Sequence, residues 1–186
     1  MSRPKLINPH GVFTIPVIID TREQKPFGFT GFTCDAADGG GPLTVPTIRD
    51  TLASGDYSLV AHAGIAIERK SLADLYGTIG QGRERFEREL ERLAKLDFAA
   101  VVIEATWPEV CAEPPPHTKL PPKTVFRSIV AWTVRYPRIH WIPAGDRRLA
   151  EVTTFRLLER YAKEKASGPD ATEGGRSWVS DSSSAS

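Results

Sequence analysis

Three charged residues, Glu68, Arg69 and Lys70, end an apolar run that begins at Ile65. Successive side chains of an extended strand point to opposite faces, so Glu68 and Lys70 share one face while Arg69 lies on the other with Ile65. A carboxylate is the kind of oxygen ligand that Mg²⁺ prefers, and a neighbouring ammonium can orient water or stabilise developing negative charge. The pattern favours a cation-assisted reaction at the end of this strand.

Two further carboxylates end or begin apolar runs. Asp56 heads a strand-like run whose hairpin partner carries Glu68, so these two side chains are expected to converge on one ion. Asp20, at the end of the first apolar run, supplies a third carboxylate. Three carboxylates could also hold two metal ions, which lie roughly 4 Å apart in two-metal sites. Lys70 would either orient and deprotonate the attacking water or stabilise the oxyanion. The sequence therefore predicts Asp20, Asp56 and Glu68 as metal ligands, with Lys70 as the fourth catalytic residue.

The elements that must position these residues follow from periodicity and turn chemistry. The predicted strands cover residues 12–20, 47–52, 56–61, 65–70, 99–103 and 139–142. The predicted helices cover residues 72–79, 83–96, 123–136 and 146–166. The second, third and fourth strands are expected to form an antiparallel meander with a turn at residues 62–64, and the proline-rich stretch around 108–122 an extended loop. This order predicts an α/β sheet sandwiched by helices.

The length of 186 residues fits one domain. We expect residues 1–11 to form an irregular arm, residues 12–166 the folded domain, and residues 167–186 a disordered polar tail. Residues 24–46, rich in glycine and proline, are expected to form a long, mobile loop, either beside the site and touching substrate or as a plain surface insertion.

The composition is ordinary for an intracellular globular protein, with 40% hydrophobic and 25% charged residues and a net charge of +1. That net charge neither favours nor excludes a nucleic-acid partner. Cys34 and Cys111 have no metal-ligand spacing, so reduced thiols are expected. No apolar run is long enough to span a membrane, and no signal peptide is apparent. These features predict a location inside the cell, in the cytoplasm, at the nucleoid or in the nucleus.

Three separate blocks carry a resemblance to a known family. The run 67–70 with Asp74 after it, the Gly-Asp-Tyr triplet 55–57 and the run Ile-Asp-Thr-Arg-Glu at 19–23 resemble the nuclease domain of the XPF family, over residues 12–145. The resemblance implies a restriction-endonuclease-like fold, a single domain with a mixed central β-sheet flanked by α-helices. It also implies a Mg²⁺- or Mn²⁺-dependent, structure-specific endonuclease that cuts branched DNA, such as flaps, forks and junctions, in repair or recombination.

The resemblance assigns metal and catalytic roles to Asp56, Glu68 and Lys70 and carries Asp20 over as the first-strand aspartate. Supporting roles fall to Glu23, Arg69 and Asp74. Each supporting residue also has a local interpretation. Asp74 could complete a capping box that opens at Ser71, Glu23 could pair with Arg22 in a turn, and Arg69 could form a structural salt bridge with Asp74 or Glu104.

Phosphate contacts are expected from basic residues outside the carboxylate group: Arg83, Lys119, Lys123 and Arg127. Gly82 and Arg83 resemble a family block that usually has a glutamine four residues after the arginine, where this chain has Glu87. The charged outer face of the helix over residues 83–96 is interpreted as salt-bridged and solvated.

The expected partners are DNA and either a second copy of the chain, through its apolar C-terminal helices, or another protein that grips DNA. The sequence is also compatible with two alternative functions. One is a restriction-type or recombination nuclease that acts on duplex DNA, and the other is a non-catalytic DNA-binding scaffold.

Overall fold

One mixed β-sheet with helices on both faces organises the chain in a computed structural model that describes residues 5–112 and 114–168. The described strands are β1 (Val17–Asp20), β2 (Phe32–Thr33), β3 (Pro42–Leu43), β4 (Thr47–Asp50), β5 (Tyr57–Leu59), β6 (His62–Ser71), β7 (Phe98–Glu104) and β8 (Ile139–Pro143). The described α-helices are α1 (Leu72–Gly80), α2 (Arg83–Leu93), α3 (Trp107–Cys111), α4 (Pro122–Arg135) and α5 (Arg147–Ser167).

Six strands form the central sheet in the order β4, β1, β5, β6, β7, β8. β5 runs antiparallel to both β1 and β6, whereas β4 lies parallel to β1, and β7 and β8 continue parallel from β6. The predicted mixed sheet is confirmed. The predicted meander is wrong at its first strand, because β4 pairs with β1 and not with β5. The predicted turn at residues 62–64 is also wrong, since the chain turns at Val60 and Ala61 and β6 begins at His62.

The strand β6 separates two apolar cores. Ile65 and Ile67 pack into the core that α5 covers, and Ala66 packs into the core that α1, α2 and α4 cover. The period of two predicted from the sequence is therefore confirmed, and it puts Arg69 on the α5 side and Glu68 on the side of α1 and α2. Each fully buried aliphatic side chain contributes about 1.5–3 kcal/mol, so both cores hold this strand firmly.

The first strand is shorter than predicted, since only Val17–Asp20 joins the sheet. Pro16 immediately before it has no N–H for the ladder, which explains where pairing starts. In the preceding stretch, Phe13 is fully buried and forms an isolated bridge with Ile7, which is itself buried. The described part of the predicted N-terminal arm therefore packs against the domain.

Residues 24–46 hold the small β2–β3 hairpin and contribute to the core. Phe27, Phe29 and Phe32 are buried in the α5-side core. Arg148, in the first turn of α5, donates to two carbonyls of the segment at 2.8 and 3.0 Å. The interpretation of this segment as a plain surface insertion is wrong, because its aromatic side chains complete the packing of α5.

Helix α3 was not expected from the proline-rich sequence around it. Thr106 caps the helix, and its side chain and that of Glu109 form a reciprocal capping box, while Pro108 lies in the first turn, where its missing N–H costs no helical hydrogen bond. The helices α1, α2, α4 and α5 confirm the sequence prediction to within three residues at their ends. Residues 169–186 of the predicted tail lie outside the described residues. Within the part of the chain that the structure describes, every helix is too short or too polar to cross a membrane.

Candidate active site

A cleft of about 950 Å³ opens where β6 runs into α1, beside the turn that precedes β5. The predicted residues that line it are Asp20, Glu23, Asp56, Glu68, Arg69, Lys70 and Asp74. Residues that line it without having been singled out from the sequence include Arg22, Lys25, Arg85, Glu89 and Arg92. The cleft therefore collects all seven predicted catalytic and supporting residues, together with a second group from α2 and the loop after β1.

The carboxylate of Asp56 is oriented by the neighbouring strand. The backbone N–H of Arg69 donates to Asp56 Oδ2 at 2.7 Å, and the Asp56 N–H donates to the carbonyl of Ile67 at 2.8 Å. These bonds fix Asp56 against β6, where Glu68 follows Ile67 on the same face as the cleft. The two β-segments thus bring one carboxylate each to the same wall, as the hairpin pattern predicted.

Glu68 and Lys70 form the contact expected of residues two apart on a strand. Lys70 Nζ lies 2.6 Å from Glu68 Oε1, and the ammonium also sits 5.0 Å from the centre of the Phe86 ring on α2. Both side chains are largely shielded from solvent, since Lys70 is 15% and Glu68 10% exposed. The ring of Phe86 restricts the directions open to the Lys70 amine, and the Lys70 side chain lines the cleft.

The electrostatics of this wall favour a bound cation. Burial raises the pKa of Asp56 to about 8, with the charge of Glu68 adding to the effect against the opposing Arg69 N–H and Lys70 ammonium. Burial likewise raises the pKa of Glu68, although Lys70 opposes it. Two buried carboxyl groups with raised pKa values and one neighbouring ammonium gain from an added divalent cation, and their all-oxygen donor set is the kind that Mg²⁺ or Mn²⁺ takes. The residues present therefore fit a divalent cation.

Lys70 remains charged in this environment. Burial alone would lower its pKa, but the carboxylates of Glu68 and Asp56 outweigh burial and raise the pKa above its usual value. The amine therefore acts first as a fixed positive charge, suited to stabilising an anion. Its alternative role as a base for water would require the carboxylate charges to be neutralised.

Asp20 lies in the cleft wall, but its oxygens are already engaged. Arg22 Nε donates to Oδ1 at 2.7 Å and Arg22 Nη2 to Oδ2 at 2.9 Å, while the Leu52 N–H donates to Oδ2 at 2.7 Å. Burial alone would raise the pKa of Asp20, yet these donors outweigh it and the pKa is lowered. The hydrogen bond from the Leu52 N–H could not be predicted from the sequence, because Leu52 lies 32 residues away along the chain. The metal role of Asp20 stays a prediction.

Asp20, Asp56 and Glu68 do not form a tight triad of ligand atoms. In the described ranges, the group of three with all ligand atoms within 4.8 Å of one another is instead Asp35, Asp38 and Glu159. Two cations already face that group, since Lys163 Nζ lies 3.0 Å from Glu159 and 3.4 Å from Asp38, and Arg156 lies 2.7 Å from Glu159 and 3.8 Å from Asp35. In the cleft, by contrast, the ion pair that the described residues show for the two carboxylates is that of Lys70 with Glu68.

Glu23 reaches the cleft from the loop after β1. Its side chain is 8% exposed, and its charge raises the pKa values of both Asp56 and Glu68. The alternative of a turn ion pair with Arg22 is wrong, because Arg22 pairs with Asp20. Glu23 Oε1 instead accepts from the Lys25 N–H at 2.6 Å and lies 3.7 Å from Arg69.

Arg69 and Asp74 have the local partners that the sequence left open. Arg69 donates to both oxygens of Glu104, at 2.7 and 2.9 Å, which confirms the salt bridge predicted for it. Asp74 N–H donates to Ser71 Oγ at 3.1 Å, and the Ser71 hydroxyl donates back to Asp74 Oδ2 at 2.6 Å. This bonding confirms the predicted N-cap of α1, while the exposed Asp74 side chain also lines the cleft.

The four predicted phosphate contacts are not part of the cleft lining. Arg83 binds Ser128 Oγ at 2.8 Å and stacks on Trp132, so it joins α2 to α4. Lys119, Lys123 and Arg127 are exposed around the start of α4. Their contacts with DNA stay predictions.

Arg85, Glu89 and Arg92 are the charged cleft residues of α2 that the sequence interpretation missed. Their spacing of four and three residues places them on one stripe of α2, next to the buried face. The sequence interpretation assigned this charged face to solvent. The position of this stripe, one residue before the buried Phe86 and Leu90, was the feature of the sequence from which its place at the edge of the cleft could have been predicted.

A mixed sheet flanked by helices, with buried carboxylates and a lysine where its strands meet a cleft, defines a nuclease domain of the restriction-endonuclease-like fold. A family model for the ERCC4 domain matches residues 19–153. The chain therefore belongs to the ERCC4 domain family, as an XPF-type nuclease domain, and membership of this family implies an endonuclease. No curated protein sequence matches the chain.

Two solved structures have the same fold. A structure of XPF from Aeropyrum pernix aligns with a TM-score of 0.56 and 18% identity, over 82% of this chain and 67% of that one. A structure of XPF from Aeropyrum pernix in complex with DNA aligns with a TM-score of 0.57 and 21% identity, over 81% of this chain and 66% of that one. At these identities the likeness establishes the fold, and the chain spans about two thirds of either XPF chain. The resemblance predicted from the sequence motifs is confirmed.

Proposed function

We propose that this chain is a Mg²⁺- or Mn²⁺-dependent endonuclease that hydrolyses phosphodiester bonds in DNA. The observation that carries the proposal is the buried carboxylate pair of Asp56 and Glu68, with the Lys70 amine 2.6 Å from Glu68 in the same cleft. The family and the DNA complex of XPF from Aeropyrum pernix support the choice of substrate.

In this mechanism Asp56 and Glu68 hold the cation. When bound, a divalent ion lowers the pKa of a coordinated water and neutralises charge on the phosphate oxygens. The Lys70 amine, fixed by Glu68 and Phe86, orients the attacking water and stabilises the charge that develops on the phosphoryl group. Glu23 adds negative charge behind the pair and so strengthens the attraction for the ion.

Asp20 is proposed as the third ligand, available once Arg22 leaves it. Arg22 is exposed at the cleft mouth, and a DNA phosphate is a competing partner for its guanidinium. Substrate binding would then release Asp20 as Arg22 turns toward the phosphate. Asp74, at the start of α1, supports the site through the cap it forms with Ser71.

DNA is proposed to lie across the cleft mouth. The basic groups that border it are Arg22, Lys25, Arg85 and Arg92. Lys119, Lys123 and Arg127 would extend this contact along the strand that leaves the cleft, and Arg83 would act mainly through α2. Each phosphate contact steepens the slope of log affinity against log salt concentration by about one unit. Measuring this slope therefore gives the number of basic side chains that contact phosphates.

Branched DNA is proposed as the preferred substrate, in repair or recombination, and a DNA substrate implies a location inside the cell. The preference rests on the family resemblance. A restriction-type or recombination nuclease acting on linear duplex is the competing outcome. The scaffold alternative is less favoured, because the acidic and basic catalytic groups are all present and gathered in one cleft.

A second copy of the chain is proposed as the partner, docking through α4. The sequence indicated the apolar C-terminal helices as the docking surface. The apolar stripe of α5 packs into the core, however, where Phe155 and Leu158 are fully buried. Phe126, Val130 and Val134, by contrast, are exposed on one side of α4 at helical spacing. Introducing Val130→Asp should yield a monomer by sedimentation analysis, whereas Leu149→Asp, at an exposed leucine on α5, should not change the mass.

The test of the proposed function is a panel of end-labelled flap, fork, four-way and linear duplex DNA, with Mg²⁺ or Mn²⁺ titrated from zero. We expect metal-dependent cleavage that is strongest on branched substrates, is lost in Glu68→Gln and is kept in Glu84→Gln, a matched change at an exposed residue of α2. Equal cutting of linear duplex would favour the competing nuclease, and equal cutting by Glu68→Gln would reject the assignment.

A further inference from the structure

The turn that delivers Asp56 to the cleft is held from the opposite wall by helix α2. Glu89 Oε1 accepts a hydrogen bond from the Gly55 N–H at 2.9 Å, and Arg92 Nε donates to Ser54 Oγ at 3.0 Å. Arg92 also forms an ion pair with Glu89. Two side chains of one helix therefore grip the two residues directly before Asp56.

This turn has little freedom on its other side. Gly55 has a φ of +77°, and a Cβ at this position would lie 3.0 Å from the Cβ of Ala66 and 3.1 Å from the carbonyl oxygen of Ile67. The turn is therefore pressed against β6, with a backbone conformation that favours glycine. The strand β5 begins only at Tyr57, so regular sheet pairing of β5 starts after Asp56.

The backbone of Asp56 itself is fixed by the sheet, as its N–H donates to Ile67 and its carbonyl accepts from the Asp20 N–H at 2.8 Å. The sheet thus fixes the backbone of Asp56, and α2 fixes the two residues before it, Ser54 and Gly55. Glu89 lines the same cleft, but each of its oxygens already has a donor, which suits support of a ligand better than ligation.

We propose that Glu89, braced by Arg92, is a positioning residue that holds the Ser54–Gly55 turn so that the Asp56 carboxylate stays aimed at the cation. This inference rests on the proposed metal-dependent function. Residues that orient a metal ligand change metal affinity by about 10–100-fold when they are removed. The same loss is therefore expected here, without any change in the ligands themselves.

The experiment uses the full chain and Mn²⁺, whose binding is followed by the loss of its free electron paramagnetic resonance signal. In Glu89→Ala the affinity for Mn²⁺ should fall about 10–100-fold. In Glu89→Gln it should stay within a few-fold of wild type, because the amide oxygen still accepts from Gly55 N–H. The matched control is Glu91→Ala, two residues along α2 at an exposed position, which should bind as wild type does.

Two results would overturn the inference. Wild-type affinity in Glu89→Ala would show that the grip on the turn is irrelevant to the ion. An equal loss in Glu89→Gln and Glu89→Ala would show that Glu89 acts through its charge, as a ligand does, and not by holding Gly55.

A second measurement separates this inference from the proposed function. Hydrogen exchange of the Gly55 amide in metal-free protein should become faster in Glu89→Ala and remain slow in Glu89→Gln and Glu91→Ala. If the wild type binds no Mn²⁺, the proposed function fails, while this exchange rate still decides whether Glu89 holds the turn. Unchanged exchange in Glu89→Ala would overturn the positioning role directly.

Discussion

Charged residues end β6 on both of its faces, and the two faces differ in how many opposite charges neutralise them. On the α5 side, Arg69 and Arg147 meet Glu104 at 2.7 and 2.9 Å, and Glu23 lies 3.7 Å from Arg69, so two positive groups face two negative ones. On the α2 side, Asp56 and Glu68 face the single ammonium of Lys70. Neighbouring residues of one strand thus build a balanced ion-pair network and an unbalanced carboxylate pair.

The two charge groups are expected to contribute differently to folding stability and to ion binding. A buried charge whose partners are all present adds little on balance but costs much when one partner is removed. A buried carboxylate with too few partners holds a raised pKa and gains most from an added cation. The Arg69 face is therefore expected to report on folding, and the Glu68 face on metal binding and catalysis.

The largest expected effect is on the Glu68 face. Glu68→Gln or Asp56→Asn should lower the cleavage rate by about 10³-fold or more, since each removes charge that stabilises the reacting phosphate through the ion. Asp56→Asn should not lower the free energy of unfolding in metal-free protein, because it removes a carboxyl whose charge is disfavoured by burial, whereas Glu68→Gln leaves the buried Lys70 ammonium without its partner and should lower it. Single-turnover rates and urea unfolding of the same samples measure both. A variant that unfolds easily and keeps its rate would reverse the comparison.

The opposite behaviour is expected of Arg69→Met. Loss of this guanidinium leaves Glu104 and Glu23 buried with fewer partners, and should lower the free energy of unfolding by about 3–5 kcal/mol in urea titrations. The control is Arg160→Met, which breaks an exposed pair with Glu164 and should cost about 0–1 kcal/mol. A loss for Arg69→Met no greater than that of the control would contradict the structural role of the network.

Lys70 tests whether the amine belongs to chemistry or to metal binding. Lys70→Met should reduce kcat by about 10²-fold while the affinity for Mn²⁺ is kept or tightened, because the amine competes with the ion for Glu68. Rates at saturating metal and Mn²⁺ binding separate the two quantities. Lys95→Met, at an exposed lysine after α2, is the control. If Lys70→Met loses the ion and not the rate, the amine is structural.

The pH dependence follows from the raised pKa of Asp56. Folded protein without metal keeps this carboxyl protonated up to about pH 8, whereas the unfolded chain releases the proton near 3.8. The stabilising effect of that proton is complete below pH 3.8 and is lost as pH rises through about 8. Asp56→Asn should therefore flatten the fall in unfolding free energy between pH 5 and 8.5, and the exposed Asp50→Asn should not. Identical slopes in wild type and Asp56→Asn would contradict the burial of this charge.

The affinity for the metal ion should depend on the protonation of the same carboxyl group, Asp56. Because the ion displaces the proton, the affinity for Mg²⁺ should rise by up to about tenfold per pH unit below pH 8 and level off above it. Calorimetry in buffers of different ionisation enthalpy counts the protons released. Affinity that does not change between pH 6 and 8 would mean that the ion binds elsewhere.

Much of this arrangement is predictable from the sequence because it is local. The alternation of Glu68, Arg69 and Lys70 follows from strand geometry, and the cap of α1 follows from Ser71 and its neighbours. The buried run of β7 follows from its unbroken apolar character. The family motifs added the identity of the carboxylates, which periodicity alone does not supply.

The rest depends on contacts between residues far apart in sequence. Parallel pairing of β4 with β1 is decided by the packing of the whole sheet, so an antiparallel meander was an equally good local solution. The engagement of Asp20 by Leu52 N–H spans 32 residues, and the grip of Glu89 on Gly55 spans 34. Neither contact leaves a pattern in one stretch of sequence.

Mn²⁺ titration followed by electron paramagnetic resonance at pH 8.5 decides whether Asp56 and Glu68 form the cation site. We expect the wild type to bind the ion, Asp56→Asn and Glu68→Gln each to lose it, and Asp35→Asn, in the acidic group that Lys163 and Arg156 face, to bind as wild type does. Binding that survives in both cleft variants and disappears in Asp35→Asn would contradict this assignment.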